Sequence, residues 1–132
     1  MRKRVLIADD SVRIREVLRM LFSSQVPEIE ICGEAVDGLD AVEKAMLLVP
    51  DLVLLDLAMP EMNGVEAANL LKKRIPEVQI VLFTVYADEV NAPLSVAFGV
   101  TTVVSKNDGF EPLGAGPLPS LTNGLFQSHS FA

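Results

Sequence analysis

Five chemically capable side chains stand just beyond aliphatic runs. Asp9 and Asp10 follow Val5-Leu6-Ile7-Ala8, Asp56 follows Leu52-Val53-Leu54-Leu55, Thr84 follows Ile80-Val81-Leu82-Phe83, and Lys106 lies just past Val100–Val104. If these runs lie side by side, three carboxylates, a hydroxyl and an ammonium meet at one end of them. Anions that close raise one another's pKa and destabilise the fold unless positive charge is brought in. An all-oxygen donor set suits Mg2+ or Mn2+, which bind through one or two carboxylates and share phosphoryl oxygens. Lys106 adds a fixed cation. A phosphoryl group brought here would have its equatorial oxygens neutralised. Asp56 could then attack phosphorus to give an acyl phosphate, and Thr84 could hydrogen-bond the transferred group.

The elements that must position these groups are legible between residues 4 and 104. Short apolar runs alternate with stretches of helical period, the signature of βα units around a parallel sheet. Five strands are expected: Val5–Ala8, Ile29–Cys32, Leu52–Leu55, Ile80–Phe83 and Val100–Val104. The third and fourth have no polar interruption and read as buried on both faces, whereas Glu28-Ile29-Glu30-Ile31 alternates like an edge. In open parallel sheets functional groups gather beyond the carboxyl ends of the strands. Strand order 2-1-3-4-5 makes the four chemistry-bearing strands adjacent and leaves the second at the edge.

The first helix carries Ile14, Val17, Leu18, Leu21 and Phe22 on one stripe, with Arg13, Arg15, Glu16 and Arg19 on the wet face. The second is expected over Asp37–Val49 with Leu39, Val42, Met46 and Val49 inward, closed by Pro50. The third follows Asn63-Gly64, turns Val65, Ala68, Leu71 and Ile75 inward, and ends near Pro76. Asp88 and Glu89 suit the start of a fourth, which Pro93 delays or bends before Gly99 stops it. Residues 109–132 hold four of the eight glycines and three of the eight prolines, with Glu111 their only charge. They show no helical stripe. The chain therefore reads as a domain over 1–108 and an irregular tail over 109–132, with the fifth helix missing or irregular.

The chain has 132 residues, half of them hydrophobic, 22% charged, with one cysteine and a net charge of −7. That suffices for one core and leaves the bulk of the chain neither disordered nor fibrous. Cys32 cannot form an internal disulfide, which fits a reducing compartment. The apolar run after Met-Arg-Lys-Arg is cut short by Asp9 and Asp10, so no export signal is expected. No stretch reaches the roughly 18 to 20 apolar residues of a membrane span. A cytoplasmic protein without a membrane role is expected. A pI of about 4.6 argues against direct nucleic-acid binding. Arg2–Arg4 and Lys72–Arg74 read as a solvated terminus and the positive last turn of a helix.

Over residues 2 to about 108 the sequence resembles the receiver domain of bacterial two-component response regulators. Val5-Leu-Ile-Ala-Asp9-Asp10-Ser11 is similar to the family's first strand and acidic pair. Asp51-Leu-Val-Leu-Leu-Asp56-Leu-Ala-Met-Pro60 is similar to its phosphorylation strand and loop, and Glu61-Met-Asn-Gly64 to the turn into the third helix. Thr84 and Lys106 match the remaining signature positions. The resemblance implies a flavodoxin-like, doubly wound parallel five-stranded α/β sheet. It also implies that Asp56 accepts phosphate from a histidine kinase or phosphotransfer protein. Asp10, Asp56 and the Ala58 carbonyl would bind Mg2+, and Asp9 would act through metal-bound water. Lys106 would bridge to the phosphoryl group or to Asp56, and Thr84 would move toward the phosphate. Ala58 and Tyr86 stand where the family tunes acyl-phosphate hydrolysis. Three features depart from the pattern: Val103 replaces the usual aromatic switch residue, Asn107 the proline that often follows the lysine, and the fifth helix is not recognisable.

The expected function is a phosphorylatable signalling switch that acts on a downstream protein partner, with homodimerisation open, and catalyses only its own phosphorylation and dephosphorylation. Two other classes compete. One is a phosphorylation-independent binding module, a degenerate receiver. The other, a Mg2+-dependent aspartyl phosphohydrolase, is disfavoured because no second general acid is expected beside Asp56 and no substrate-binding cap is available.

Overall fold

A computed structural model describes residues 2–85, 99–100 and 102–108. The expected fourth helix, Tyr86 and the 109–132 tail lie outside the described residues. The elements in chain order are β1 (Lys3–Ala8), α1 (Val12–Gln25), β2 (Ile29–Ala35), α2 (Gly38–Leu48), β3 (Leu52–Leu55), α3 (Gly64–Arg74), β4 (Gln79–Thr84) and β5 (Thr102–Ser105), followed by a 3-10 turn over Lys106–Asp108. The strands form one sheet in the order β2-β1-β3-β4-β5, and every pairing is parallel. This is the doubly wound order expected from the sequence.

Period-two alternation splits the central strands between two apolar layers. Leu6, Ala8, Val53, Leu55, Ile80 and Leu82 face one side, where they meet Ala41, Val42 and Ala45 of α2 and Ala67, Ala68 and Leu71 of α3. Val5, Ile7, Leu52, Leu54, Val81 and Phe83 face the other, against Leu18 and Phe22 of α1. Uninterrupted aliphatic runs are therefore what β3 and β4 require. Among the described residues no helix is long and apolar enough to cross a membrane.

Helix starts follow local chemistry. Ser11 caps α1 by accepting the Ile14 amide, Asp37 caps α2 by accepting that of Asp40, and Asn63 with Glu66 forms a reciprocal capping box on α3. At the opposite end of the sheet, Arg4 Nη1 donates to the carbonyls of Leu48 at 2.5 Å and Val49 at 3.2 Å. It ties down the C-terminus of α2 rather than belonging to a solvated terminus.

Several sequence expectations are corrected. The inward face of α2 is Gly38, Ala41, Val42 and Ala45, while Leu39, Met46 and Val49 are 45%, 44% and 59% exposed. Small residues let this helix approach the sheet and α3 closely, so of the expected stripe only Val42 stays inward while Leu39, Met46 and Val49 point away. On α3, Ala67 is buried whereas Val65 and Ile75 are half-buried. β2 continues past Cys32 to Ala35, and β5 begins at Thr102 rather than Val100, which is buried ahead of it. Arg15, placed on the wet face of α1, has a side chain only 11% exposed.

Candidate functional site

The carboxyl ends of β1, β3 and β4 and the turn after β5 carry the expected side chains. β1 pairs with β3 as far as Ala8 and Leu55, and the Asp56 amide donates to the Ala8 carbonyl at 2.9 Å. Two parallel strands ending level thus bring Asp9, Asp10 and Asp56 together. Each offers a carboxylate oxygen, and these oxygens all lie within 4.8 Å of one another. Asp9 and Asp56 are buried and Asp10 is exposed. Asp9 accepts the Ser11 amide at 2.9 Å, so it shapes the loop before the helix while Ser11 does the capping.

Lys106 reaches two of the three carboxylates. Its Nζ is 2.7 Å from Asp9 Oδ2 and 3.4 Å from Asp56 Oδ1, and 5.7 Å from the centre of the Phe83 ring. Burial pushes the Asp56 carboxyl above the ordinary carboxylate range; Lys106 pulls it down, Asp9 pushes it up, and a hydrogen bond from the Ala58 backbone pulls it down. The Lys106 ammonium and the Ala58 amide thus do not fully offset burial and the Asp9 charge at Asp56. The donor set is all oxygen, compact and open to solvent at Asp10, which fits a hard divalent cation that retains water.

Thr84 is fully buried at the end of β4, opposite Ser105 of β5 in register. Val103 lies opposite Leu82, half-buried against the α2–α3 layer. Ala58 is exposed beside Asp56. The fold therefore brings Asp9, Asp10, Asp56 and Lys106 into one constellation, with Thr84 at the same end of the sheet.

The loop from Asp56 to α3 is held tightly. Gly64 donates its amide to Leu57 O at 2.8 Å, and a Cβ on it would fall 2.3 Å from Asp56 O. Met62 donates to Pro60 O at 2.7 Å across Glu61, whose φ is 68°. That is a γ-turn of the rare positive-φ kind, strained for a residue with a side chain. In the sequence Glu61 is only one member of the turn motif Glu61-Met-Asn-Gly64, and no local signal marks its backbone. A Cβ on Gly38 would likewise fall 2.0 Å from Met62 O, so the start of α2 also abuts this loop.

Residues 5–114 match the family described as the response regulator receiver domain. The chain belongs to that family. The response regulator domain of Thermotoga maritima CheB superposes on this receiver with a TM-score of 0.81 at 32% identity, covering 96% of this chain and 97% of that one. A chain of the CheX-CheY-BeF3-Mg complex from Borrelia burgdorferi does so with a TM-score of 0.73 at 27% identity, covering 79% and 78%. Among curated relatives, the response regulator protein VraR of Staphylococcus saprophyticus is 37% identical over 78% of this chain and 49% of its own length. A protein-glutamate methylesterase/protein-glutamine glutaminase of Pyrococcus horikoshii is 42% identical over 65% of this chain and 23% of its own length. The receiver thus spans half or less of these two relatives. Both fold and family agree with the sequence reading: a receiver of two-component response regulators on a flavodoxin-like sheet.

Proposed function

We propose that this receiver domain accepts a phosphoryl group on Asp56 in a Mg2+-dependent reaction, from a histidine kinase or a phosphotransfer protein. The observation that carries the proposal is the buried Asp56 carboxylate set between a lysine and two further carboxylates. Asp10, Asp56 and the Ala58 carbonyl would hold the ion, with Asp9 acting through its water. When bound, it supplies the charge that lets an anionic phosphoryl group approach this acidic cluster. An Asp56 oxygen attacks phosphorus as the bond from phosphorus to the donor nitrogen breaks. The aspartyl phosphate forms and the histidine leaves with the electron pair. Lys106 exchanges its carboxylate contacts for a phosphoryl oxygen, and the Thr84 hydroxyl turns toward the same group. The Borrelia complex, which contains BeF3 and Mg, supports this use of a related fold.

The output we assign is a changed protein-binding surface rather than turnover of a metabolite. It would be delivered to a downstream protein or a second copy, without direct contact to nucleic acid. Residues 1–108 would form the switch, with 109–132 outside it. Mass measurement after incubation with acetyl phosphate and MgCl2 tests the reading. One added phosphate, lost in Asp56→Asn, is expected. An unmodified chain would leave a phosphorylation-independent binding module, and sustained release of phosphate from a phosphomonoester would make it a hydrolase.

A further inference from the structure

An irregularity in the edge strand reaches the acidic loop through charged side chains. β2 pairs with β1 in steady register up to Ile31 opposite Val5; the next pair is Gly33 opposite Leu6, so Cys32 is an extra residue in a bulge. The inserted residue reverses which side chains face which layer. Ile29 and Ile31 face α1 before it. After it, Ala35 joins the α2–α3 layer, and Glu34, opposite Ile7, faces α1. Without the bulge Glu34 would turn to the other side of the sheet.

On the α1 side Glu34 meets two arginines. Arg15 Nε lies 3.0 Å from Oε1, and Arg19 Nε lies 2.8 Å from Oε2. The two arginines differ in what else they touch. Arg15 also donates from Nη1 to the backbone carbonyl of Asp9 at 2.7 Å, whereas Arg19 is half exposed. The Glu34 carbonyl in turn accepts from Lys44 Nζ of α2 at 2.5 Å, which fixes the strand beneath. One rigid guanidinium thus spans from the edge strand to the peptide that joins Asp9 to Asp10.

We propose that Arg15, oriented by Glu34, is a positioning residue that holds the Asp9–Asp10 peptide in the geometry required for divalent-cation binding. The proposal rests on the Mg2+-dependent reading above. A planar two-pronged donor suits this task, because fixing one prong on a carboxylate fixes the direction of the other. Electrostatics alone has the opposite sign. Arg15 is a cation close to a cation site, so removing its charge without disturbing geometry should tighten Mg2+ binding.

The test is calorimetric titration of MgCl2 into the full chain, well below its melting temperature, for the wild type, Arg15→Gln, Glu34→Gln, Arg19→Gln and the Arg15→Gln/Glu34→Gln double variant. Arg15→Gln is expected to weaken Mg2+ binding roughly 10-fold, as loss of an outer support to a metal site typically does. Glu34→Gln should act in the same direction, and the double variant should be less impaired than the product of the singles. Arg19→Gln should stay within about 2-fold. Unchanged or tighter binding in Arg15→Gln overturns the proposal, as does an equal loss in Arg19→Gln. If Arg15→Gln does not fold, Arg15→Lys replaces it: the charge stays and the fork is lost. Binding about 3-fold weaker than wild type is then expected, and wild-type affinity overturns the proposal. A wild-type chain that takes up no Mg2+ instead removes the phosphoacceptor reading itself.

Discussion

Lys106 Nζ lies 2.7 Å from Asp9 Oδ2 and 3.4 Å from Asp56 Oδ1, so the ammonium is held most closely by a carboxylate other than the proposed nucleophile. Asp56 therefore keeps part of its burial penalty. The first two predictions depend on that imbalance.

Asp56→Asn should prevent phosphorylation yet stabilise the metal-free domain. Burial holds the Asp56 carboxyl above its unfolded-state value. The folded state then binds the proton more tightly, and stability falls as pH rises from the ordinary carboxylate value through the raised one. Above that window the full penalty remains. Thermal melts across this range in chelator should show the fall in the wild type and a smaller one in Asp56→Asn. At neutral pH the variant should melt a few degrees higher, on the order of 1 kcal/mol for a domain of this size. An equal or lower melting temperature would contradict the account.

Lys106→Ala leaves Asp9 and Asp56, whose side chains are 3% and 8% exposed, without their ammonium. A loss of about 1–3 kcal/mol is expected in denaturant titrations without metal. Saturating MgCl2 should recover part of it, because a bound cation supplies the missing charge. Phosphorylation by acetyl phosphate should be impaired more strongly than Mg2+ affinity, as read by phosphate incorporation beside calorimetry.

Gly64→Ala places a methyl group 2.3 Å from Asp56 O and 2.9 Å from Leu57 Cα, both backbone atoms. Overpacking of this kind costs about 1–3 kcal/mol. Because the displaced peptide belongs to Asp56, the phosphorylation rate should fall as well. A variant with lower melting temperature but wild-type rate would show that the loop yields elsewhere.

Glu61→Gly tests the strain in the same loop from the other direction. At φ 68° a side chain is disfavoured by about 1–2 kcal/mol, while glycine adds unfolded-state freedom of about 0.4–1 kcal/mol. A net gain of about 0.5–1 kcal/mol by denaturant titration is expected. A loss would mean that the Glu61 side chain contributes more than its backbone costs.

The amino-acid sequence alone determined the layered sheet and the end of it at which the candidate site residues gather. Leu52–Leu55 and Ile80–Phe83 can be satisfied only between two apolar layers, and a polar residue directly after each run must emerge at the strand end. Asp9, Asp56 and Thr84 were legible for that reason, and Asp10 and Lys106 stand one residue further along. Tertiary structure decided what depends on distance of approach. The face that α2 buries is set by how closely its alanines let it near the sheet, which outweighs the bulk of Leu39 and Met46. Glu34 faces Arg15 only because the extra residue at Cys32 turns the strand over, and a bulge is a property of the pairing between two strands.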